Sequence, residues 1–422
     1  MSKGKDRKMK SLILFEFQKI YKKRMNKIVL FGTFLLMALS MVLNIDQVWT
    51  YNEKKETMKG RDYVEYTKSV CKKLEGPITE EKAKEYLEEY QKMLENPEYF
   101  VTDETGEHFT DDVYCSYYIP HRWLVTELGH VYDEPGIQSL GENIKKLNLN
   151  EIEPLYEART NRLRDTLIQG SSDWQYTDAE QKYWISEASE IRTPISYGYV
   201  EGFNQWFDMA SFYCIPLIAL FIIMATVYAG EYEQNTDNII LTTKYGKSKI
   251  ITAKNIAAIL YGLLFCTVNV VIGFVMMFGW YGISGWDMPI QSIYFQCPYA
   301  VTNLQAAMLF VAAFYAVAMG IISITLWISA RSKNGLTVLA IMLVFFFIPI
   351  FLKESMTNGV YNHILQLLPY SSLSSFGLQS MVSYPFGKVV IPYGTMRWLT
   401  YLCLTVVVLP FAGRAFKHHE VR

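Results

Sequence analysis

Long stretches of this 422-residue sequence contain no charged residue. Runs without Asp, Glu, Lys or Arg lie at 28–45, 209–230, 255–286, 288–330, 334–352 and 398–413. A helix of about 20 apolar residues crosses the ~30 Å hydrocarbon core of a bilayer. The last run is short, but a snorkelling Arg397 can extend it. The runs exclude an ordinary soluble protein and predict an all-α integral membrane protein with six transmembrane helices.

The sequence also lacks the motifs of several kinds of catalytic site. It has no Gly-x-x-x-x-Gly-Lys-Ser/Thr, so a phosphate-binding P-loop is excluded, and no His-Glu-x-x-His. His121 and His130 are nine residues apart, which places them on opposite faces of a helix. The uncharged runs offer no intramembrane acid, and a proton- or ion-coupled carrier usually needs one. We therefore expect no catalytic residue, no metal site and no cofactor on this chain, and no nucleic-acid partner.

Acidic residues are concentrated in one block of the chain. Residues 46–205 hold 32 of the 41 Asp and Glu but only 18 of the 40 Lys and Arg, a net charge of −14. The remainder has a net charge of +13. The overall charge of −1 therefore conceals a membrane protein with an acidic, water-soluble insert between its first two spans.

Basic residues near the span ends predict the orientation. Ten Lys and Arg precede residue 28, four lie in 231–254, two in 331–333 and three in 414–422. With six spans all four segments fall on one side, and Lys and Arg are enriched on the cytoplasmic side. We expect a plasma-membrane protein with cytoplasmic N- and C-termini.

The charge pattern divides the chain into five parts. They are 1–27 (basic cytoplasmic segment), 28–45 (first span), 46–205 (extracellular acidic α-rich domain), 206–415 (spans two to six, with the cytoplasmic loop 231–254) and 416–422 (cytoplasmic tail). The runs at 255–286 and 288–330 are too long for one crossing, so each is expected to include an extracellular shoulder.

The insert is predicted to be mainly helical. Thr79 is a plausible helix N-cap, and Thr177 with Glu180 forms a capping-box pattern. Cys71 and Cys115 could form a disulfide, which spacing alone does not establish. The acidic surface either attracts cationic peptides by long-range steering or serves ordinary solubility.

The segment 11–24 is amphipathic. Its apolar face is predicted from helical spacing, and Glu16, Lys19 and Lys23 are assigned to the opposite face. We expect a helix lying in the plane of the cytoplasmic membrane surface, in contact with lipid. The residues assigned to its apolar face are Ile13, Leu14, Phe17, Ile20 and Tyr21.

The loop 231–254 is predicted to carry a second short helix. Glu231 and Glu233 are expected to begin it, because negative charge suits a helix N-terminus. Ile239, Ile240 and Leu241 would form an apolar ridge before Gly246 ends the helix. Such a helix suits docking on a cytoplasmic partner; the alternative is a turn anchored at the lipid head groups.

These features resemble the ABC-2 family of ATP-driven transporter permeases. The resemblance rests on the in-plane N-terminal helix, the six spans, Gly230-Glu-Tyr-Glu233 and the Lys-rich run Leu241-Thr-Thr-Lys-Tyr-Gly-Lys-Ser-Lys-Ile-Ile251. It covers 11–45 and 206–415, whereas the insert is longer than the family's usual outer loops.

The resemblance implies cytoplasmic ATP-binding subunits, which hold ATP and magnesium, and a second permease, either a copy of this chain or a paralogue. It also implies that the loop helix couples the permease to the ATPase, with no covalent chemistry on this chain. The residues so implied are Glu231, Tyr232, Glu233, Asn235, Thr236, Ile239, Ile240 and Leu241.

Polar residues within the spans have two interpretations. Asn269, Ser323 and Thr325 either hydrogen-bond neighbouring helices or line a translocation interface. The leading hypothesis is a permease subunit that exports or extracts an amphipathic substrate, such as a cationic antimicrobial peptide or a lipid-like compound. The alternative is a membrane-bound sensor or scaffold whose outer domain binds a ligand and signals to a cytoplasmic partner.

Overall fold

The computed structural model describes residues 2–104, 106–133, 140–243, 245–373, 375–378 and 380–418. It is mostly helical, at 72%. The helices are α1 (Ser2–Lys22), α2 (Arg24–Gln47), α3 (Gly60–Leu74), α4 (Glu80–Glu95), α5 (Asp111–Val113), α6 (Ile119–Gly129), α7 (Leu140–Lys146), α8 (Leu155–Gln169), α9 (Asp178–Ser189), α10 (Glu201–Asp208), α11 (Cys214–Glu233), α12 (Asp237–Thr242), α13 (Ile251–Tyr281), α14 (Asn303–Ser329), α15 (Gly335–Phe351), α16 (Gly359–Gln366) and α17 (Tyr393–Lys417).

The structure also contains short strands, so the fold is mostly helical and not all-α as predicted. The strands are β1 (Trp49–Tyr51), β2 (Thr57–Lys59), β3 (Gly76–Pro77), β4 (Phe100–Asp103), β5 (Gly106–Phe109), β6 (Ser196–Tyr197), β7 (Ser383–Phe386) and β8 (Val389–Pro392). They form four antiparallel pairs, β1–β2, β3–β6, β4–β5 and β7–β8, each of which is two-stranded within the described residues.

Within the part of the chain that the structure describes, five helices are long and apolar enough to cross a membrane. They are α2, the run Glu201–Glu233 that joins α10 to α11, the run Gly246–Tyr281 that contains α13, α14 and α17. The remaining predicted span, 334–352, is the fifth in chain order. Its helix, α15, is apolar but has only 17 residues. The predicted boundary at residue 205 falls within the run Glu201–Glu233, so the insert continues directly into the second long helix.

Helix α15 nevertheless connects two different ends of the bundle. At its start, the amide of Gly335 donates to Glu233 Oε1 over 2.8 Å, at the end of α11. Beyond its other end, the amide of Gly359 donates to the carbonyl of Asp173 in the insert over 3.0 Å. The chain therefore runs from the end of α11 to the insert within this short helix and the few residues after it.

Close helix approach at small residues holds the bundle together. A Cβ on Gly320 of α14 would collide with the ring of Tyr401 of α17. A Cβ on Gly262 of α13 would collide with the side chain of Ile322 of α14. Small residues at such crossings let the backbones approach closely, a common basis of helix association in membranes.

The insert folds as the local signals predict. Thr79 caps α4 by accepting from the amide of Lys82 over 3.3 Å. The capping box of α9 is formed, because Glu180 Oε2 accepts from the amide of Thr177 over 2.8 Å and Thr177 Oγ1 accepts from the amide of Glu180. The helical prediction is thus confirmed at these two helix starts.

The insert is packed against the connection between α13 and α14. Phe295 is fully buried among insert residues. Arg159 of α8 donates from Nε to the Phe295 carbonyl over 3.0 Å and from a terminal nitrogen to the Cys297 carbonyl over 2.8 Å. Trp123 donates to the carbonyl of Ile293 over 3.2 Å. Residues 282–302, which connect α13 to α14 and contain the adjoining ends of the uncharged runs 255–286 and 288–330, therefore pack against the insert.

The disulfide between Cys71 and Cys115 is not formed; both thiols are free and buried. The sulfur of Cys71 instead lies 3.6 Å from the hydroxyl of Tyr197. Burial raises the pKa of the Cys71 thiol to about 11, so the thiol stays protonated at neutral pH.

Candidate functional site

A buried ionic cluster lies where α1, α11 and α13 meet. The Lys254 side chain is only 1% exposed, and its Nζ donates to Glu16 Oε2 over 2.9 Å and to Glu231 Oε1 over 2.5 Å. Lys19 of α1 also donates to Glu231 Oε1. Two carboxylates therefore face two ammonium groups, which balances charges that are expensive to bury singly. We call these four residues, Glu16, Lys19, Glu231 and Lys254, the ionic cluster.

Lys23 lies beside the ionic cluster without joining it. Its Nζ donates to Thr226 Oγ1 over 2.9 Å and to the Thr226 carbonyl over 3.2 Å. Burial, followed by the charge of Lys19, lowers the pKa of Lys23. The turn between α1 and α2 is thereby attached to the last turns of α11.

The predicted orientation of α1 was wrong in one respect. Glu16, assigned to the polar outer face, is buried together with Ile20 against the bundle, and Ile13 and Phe17 are half-buried. Leu14 and Tyr21, assigned to the apolar face that contacts lipid, are exposed on the surface of the protein. Glu16 turns inward because Lys254 supplies a counter-charge that helical periodicity within α1 cannot reveal.

Glu231 and Glu233 do not begin the loop helix as predicted; they end α11. Glu231 is buried in the ionic cluster, and Tyr232 donates its hydroxyl to the carbonyl of Ala330 over 2.9 Å. The helix extends this far because the Glu231 side chain finds partners on α1 and α13. Glu231, Tyr232 and Glu233 therefore make contacts within the chain, and Glu231 is only 2% exposed.

The loop helix itself is α12, a single short element. Asn235 precedes it with a left-handed backbone at φ 53°, and Thr236 donates from Oγ1 to Glu231 Oε2 over 2.5 Å. Leu241 points inward and is buried, whereas Ile239 is 66% exposed. The predicted ridge is thus divided, with Leu241 fixing the helix, Ile240 half-buried and Ile239 presented outward.

Hydrogen bonds extend this end of the bundle to α14 and α17. Ser329 of α14 donates to the Ala225 carbonyl over 2.6 Å and accepts from the amide of Ala229 over 2.9 Å. Tyr228 donates to Asn255 Oδ1 over 2.7 Å, and Asn255 donates to the Leu409 carbonyl of α17 over 3.3 Å. Displacement of α11 at this end would therefore also displace its partners on α13, α14 and α17.

The three polar residues proposed for a translocation interface are all buried inside the chain. Asn269 Nδ2, Ser323 Oγ and Thr325 Oγ1 donate to the carbonyls of Phe265, Met319 and Ile321, each one turn earlier in the same helix. They occupy helix-packing positions. Among the described residues, Asn269 Oδ1 has no hydrogen-bond partner.

Within the described ranges, no group of three or more His, Cys, Asp or Glu side chains is arranged to hold a metal ion. His130 is occupied by Asp133, whose Oδ2 lies 2.7 Å from Nδ1. His121 Nδ1 lies 2.9 Å from the carbonyl of Tyr117.

The long apolar helices indicate an integral membrane protein. At one end of these helices lies the short helix α12, whose apolar side chain Ile239 is exposed and accessible to a partner. The chain belongs to the ABC-2 transporter family, because residues 12–421 match the family model described as ABC-2 family transporter protein. Members of this family are membrane components and not themselves catalytic, and they imply ATP-binding subunits as partners. The chain has no match among curated proteins or solved structures.

Proposed function

We propose that this chain is the transmembrane permease subunit of an ATP-driven transporter, paired with a second permease and with cytoplasmic ATP-binding subunits. In this assignment α15 is the fifth of six spans and both termini are cytoplasmic, with the acidic insert outside. Support comes from family membership and from the path of α15. This helix starts in contact with Glu233 at the end of α11 and is followed by a contact with the insert at Asp173.

The observation that carries the proposal is the position of α12. Its exposed Ile239 is available to a partner, whereas its base is attached through Thr236 to Glu231. An apolar side chain on a short, firmly based helix suits insertion into a groove on an ATP-binding subunit, because buried apolar anchors contribute most of an interface's affinity.

The ionic cluster connects the docking contact at α12 with the other helices of the bundle. A force on α12 reaches Glu231 through Thr236, and Glu231 in turn contacts Lys19 of α1 and Lys254 of α13. ATP-driven closure of the partner subunits would move α1, α11 and α13 together. This is a rigid-body or shear transition between two packings, which is a common form of switching in proteins.

The substrate in this proposal is amphipathic, either a cationic peptide or a lipid-like compound. The net charge of −14 on 46–205 favours cationic molecules near the outer end of the bundle, because a one-sign surface raises the local concentration of opposite charges. ATP and magnesium are held by the partner subunit, and this chain contributes only the pathway.

Substitution of Ile239 by Arg tests the docking role of α12. The matched control is Ile168→Arg, because Ile168 is 60% exposed, similar to Ile239 at 66%, and lies on the insert. We expect Ile239→Arg to abolish co-purification of an ABC-type ATP-binding subunit from the native membrane, with unchanged thermal stability. Ile168→Arg should retain the subunit.

Two results would contradict the proposal. Normal recovery of the ATP-binding subunit with Ile239→Arg would remove α12 as the docking element. Recovery of the unmodified chain without any ATP-binding subunit, under conditions where other membrane complexes survive, would favour a sensor or scaffold that works without ATP-driven transport.

A further inference from the structure

A cavity of about 210 Å³ lies between the insert and the starts of α14 and α17. One wall is polar and comes from the insert, with Tyr183 and Glu187 of α9. The other walls include the aromatic ring of Phe207 and the side chains of Leu309 and Trp398. Arg397 also lines it, so groups of both charge signs and an apolar surface face one space.

Arg397 is the unusual member of this cavity. It is only 7% exposed, and one terminal nitrogen donates to the Ser372 carbonyl over 2.7 Å. Its Nε has no hydrogen-bond acceptor, and no carboxylate among the described residues lies within 4.0 Å of the guanidinium. The guanidinium carbon lies 5.4 Å from the centre of the Tyr393 ring, but an aromatic ring carries no counter-charge. Burying a cation without a counter-charge is costly, so Arg397 lacks, among the described residues, the anionic partner that such residues ordinarily have.

The rest of the cavity limits what that partner can be. Leu309 is 51% exposed and lies two turns into α14, and Trp398 is half-buried near the start of α17. Both helices are long enough to span a membrane, so their first turns lie where the head groups meet the acyl chains. A ligand here has its charged part at Arg397 and its apolar part toward Leu309 and Trp398.

We propose that this cavity binds a phospholipid with a zwitterionic head group, with its phosphate at Arg397 and its amine at Glu187. A guanidinium suits a phosphate because its planar donors match two phosphate oxygens. A carboxylate in the same cavity suits an ammonium group, and Glu187 comes from the insert whereas Arg397 comes from α17. The assignment rests on the proposed function in one respect, which is the position of the membrane relative to α14 and α17. It extends that function by naming zwitterionic phospholipids as the class of amphiphile.

The experiment is native mass spectrometry of the full chain, purified in mild detergent and titrated with phosphatidylethanolamine or phosphatidylglycerol. We expect Arg397→Gln to weaken the binding of both lipids by about 10- to 100-fold, because a charge-assisted contact is lost. Arg414→Gln is the control, since Arg414 is an exposed arginine at the other end of the same helix. It should leave both affinities unchanged.

Two further variants separate the cavity from the stability of the fold. Gly394 lines the cavity, and a Cβ at this position would meet no atom within 4 Å. Gly394→Phe should therefore fill the space and displace lipid without unfolding the chain. Glu187→Gln should weaken phosphatidylethanolamine alone and abolish its preference over phosphatidylglycerol.

The proposal is overturned if lipid affinity is unchanged in both Arg397→Gln and Gly394→Phe, or if Arg414→Gln lowers it equally. Equal binding of the deacylated head group, glycerophosphoethanolamine, would overturn the lipid assignment in favour of a soluble zwitterion. Lipid binding is read without an ATP-binding subunit, so failure of the docking experiment with Ile239→Arg leaves this result interpretable.

Discussion

Nζ of Lys254 lies 2.5 Å from Oε1 of Glu231, in a position from which solvent is almost fully excluded. The same Nζ reaches Glu16 of α1 over 2.9 Å. One lysine thus joins the N-terminal helix to the end of α11, and Thr236, which precedes α12, donates to the same Glu231 side chain. This arrangement makes the short exposed helix mechanically continuous with the bundle.

Removal of the Lys254 charge should destabilise the protein strongly. Lys254→Met leaves Glu16 and Glu231 buried near each other without this cation, and breaking a buried ion pair costs about 3–5 kcal/mol. We expect a marked fall in the temperature at which the detergent-purified protein loses its monodisperse peak. Lys247→Met is the control, because Lys247 is exposed in the first turn of the run Gly246–Tyr281.

The triple variant Lys254→Met, Glu16→Gln, Glu231→Gln sharpens this test. The triple variant removes the three most buried charges of the ionic cluster and leaves only Lys19, whose side chain is 34% exposed. Replacing buried ion-paired side chains together is often close to neutral, so the triple variant should recover most of the lost stability. A triple variant as unstable as Lys254→Met would show that charge imbalance is not the cause. Glu231→Lys, by contrast, is unsuited to testing ATPase docking, because it adds an ammonium beside Lys19 and Lys254.

Arg159 should control the attachment of the insert to the segment 282–302. Arg159→Met leaves the Phe295 carbonyl without its donor, which costs about 1–3 kcal/mol for a buried acceptor. The Cys297 carbonyl is less affected, because Gln291 Nε2 also donates to it over 2.9 Å.

Hydrogen–deuterium exchange should therefore show faster exchange at residues 293–297 in Arg159→Met. Arg164→Met is a suitable control, since Arg164 makes an exposed hydrogen bond to Asn161. Unchanged exchange in Arg159→Met would mean that burial of the Phe295 ring alone holds the segment.

Asp173 should make the contact between the insert and the segment after α15 sensitive to acid. Hydrogen bonds from Ser171 and then from Asn362 hold the pKa of Asp173 below its ordinary value of 3.8. A lowered pKa in the folded state means that the contribution is present above the ordinary value and is lost as pH falls through the folded value.

The melting-temperature difference between the unmodified protein and Asp173→Asn should accordingly shrink as pH falls below that ordinary value. Asp165→Asn, at an exposed aspartate of α8, should show no such trend. A difference that is constant with pH would mean that the hydrogen bond from Asn362 does not depend on the charge of Asp173.

Local sequence signals predicted individual elements well and their partners poorly. The uncharged run 28–45 and the capping box at Thr177 each depend on neighbouring residues, and both correspond to elements of the structure. Glu16 and Glu231 were misplaced because their partner, Lys254, is 238 and 23 residues away along the chain. A charged residue beside an apolar face looks solvent-exposed until its distant counter-ion is known.

The same reason explains why the cavity at Arg397 was not predicted. In the sequence Arg397 extends a short apolar run, and snorkelling is the ordinary interpretation of an arginine there. Its burial arises only when Ser372 and the insert close around it. Long-range packing of this kind leaves no periodic signal in the amino-acid sequence.

The buried position of Phe295 has a consequence for biosynthesis. This ring completes the interior of the insert, yet it is made only after two more long helices, α11 and α13, have left the ribosome. The interior of the insert therefore stays incomplete until the connection between α13 and α14, which carries Phe295, has been synthesised and has packed against it. Complete folding of the insert thus depends on correct placement of the helices made before Phe295, including α11 and α13.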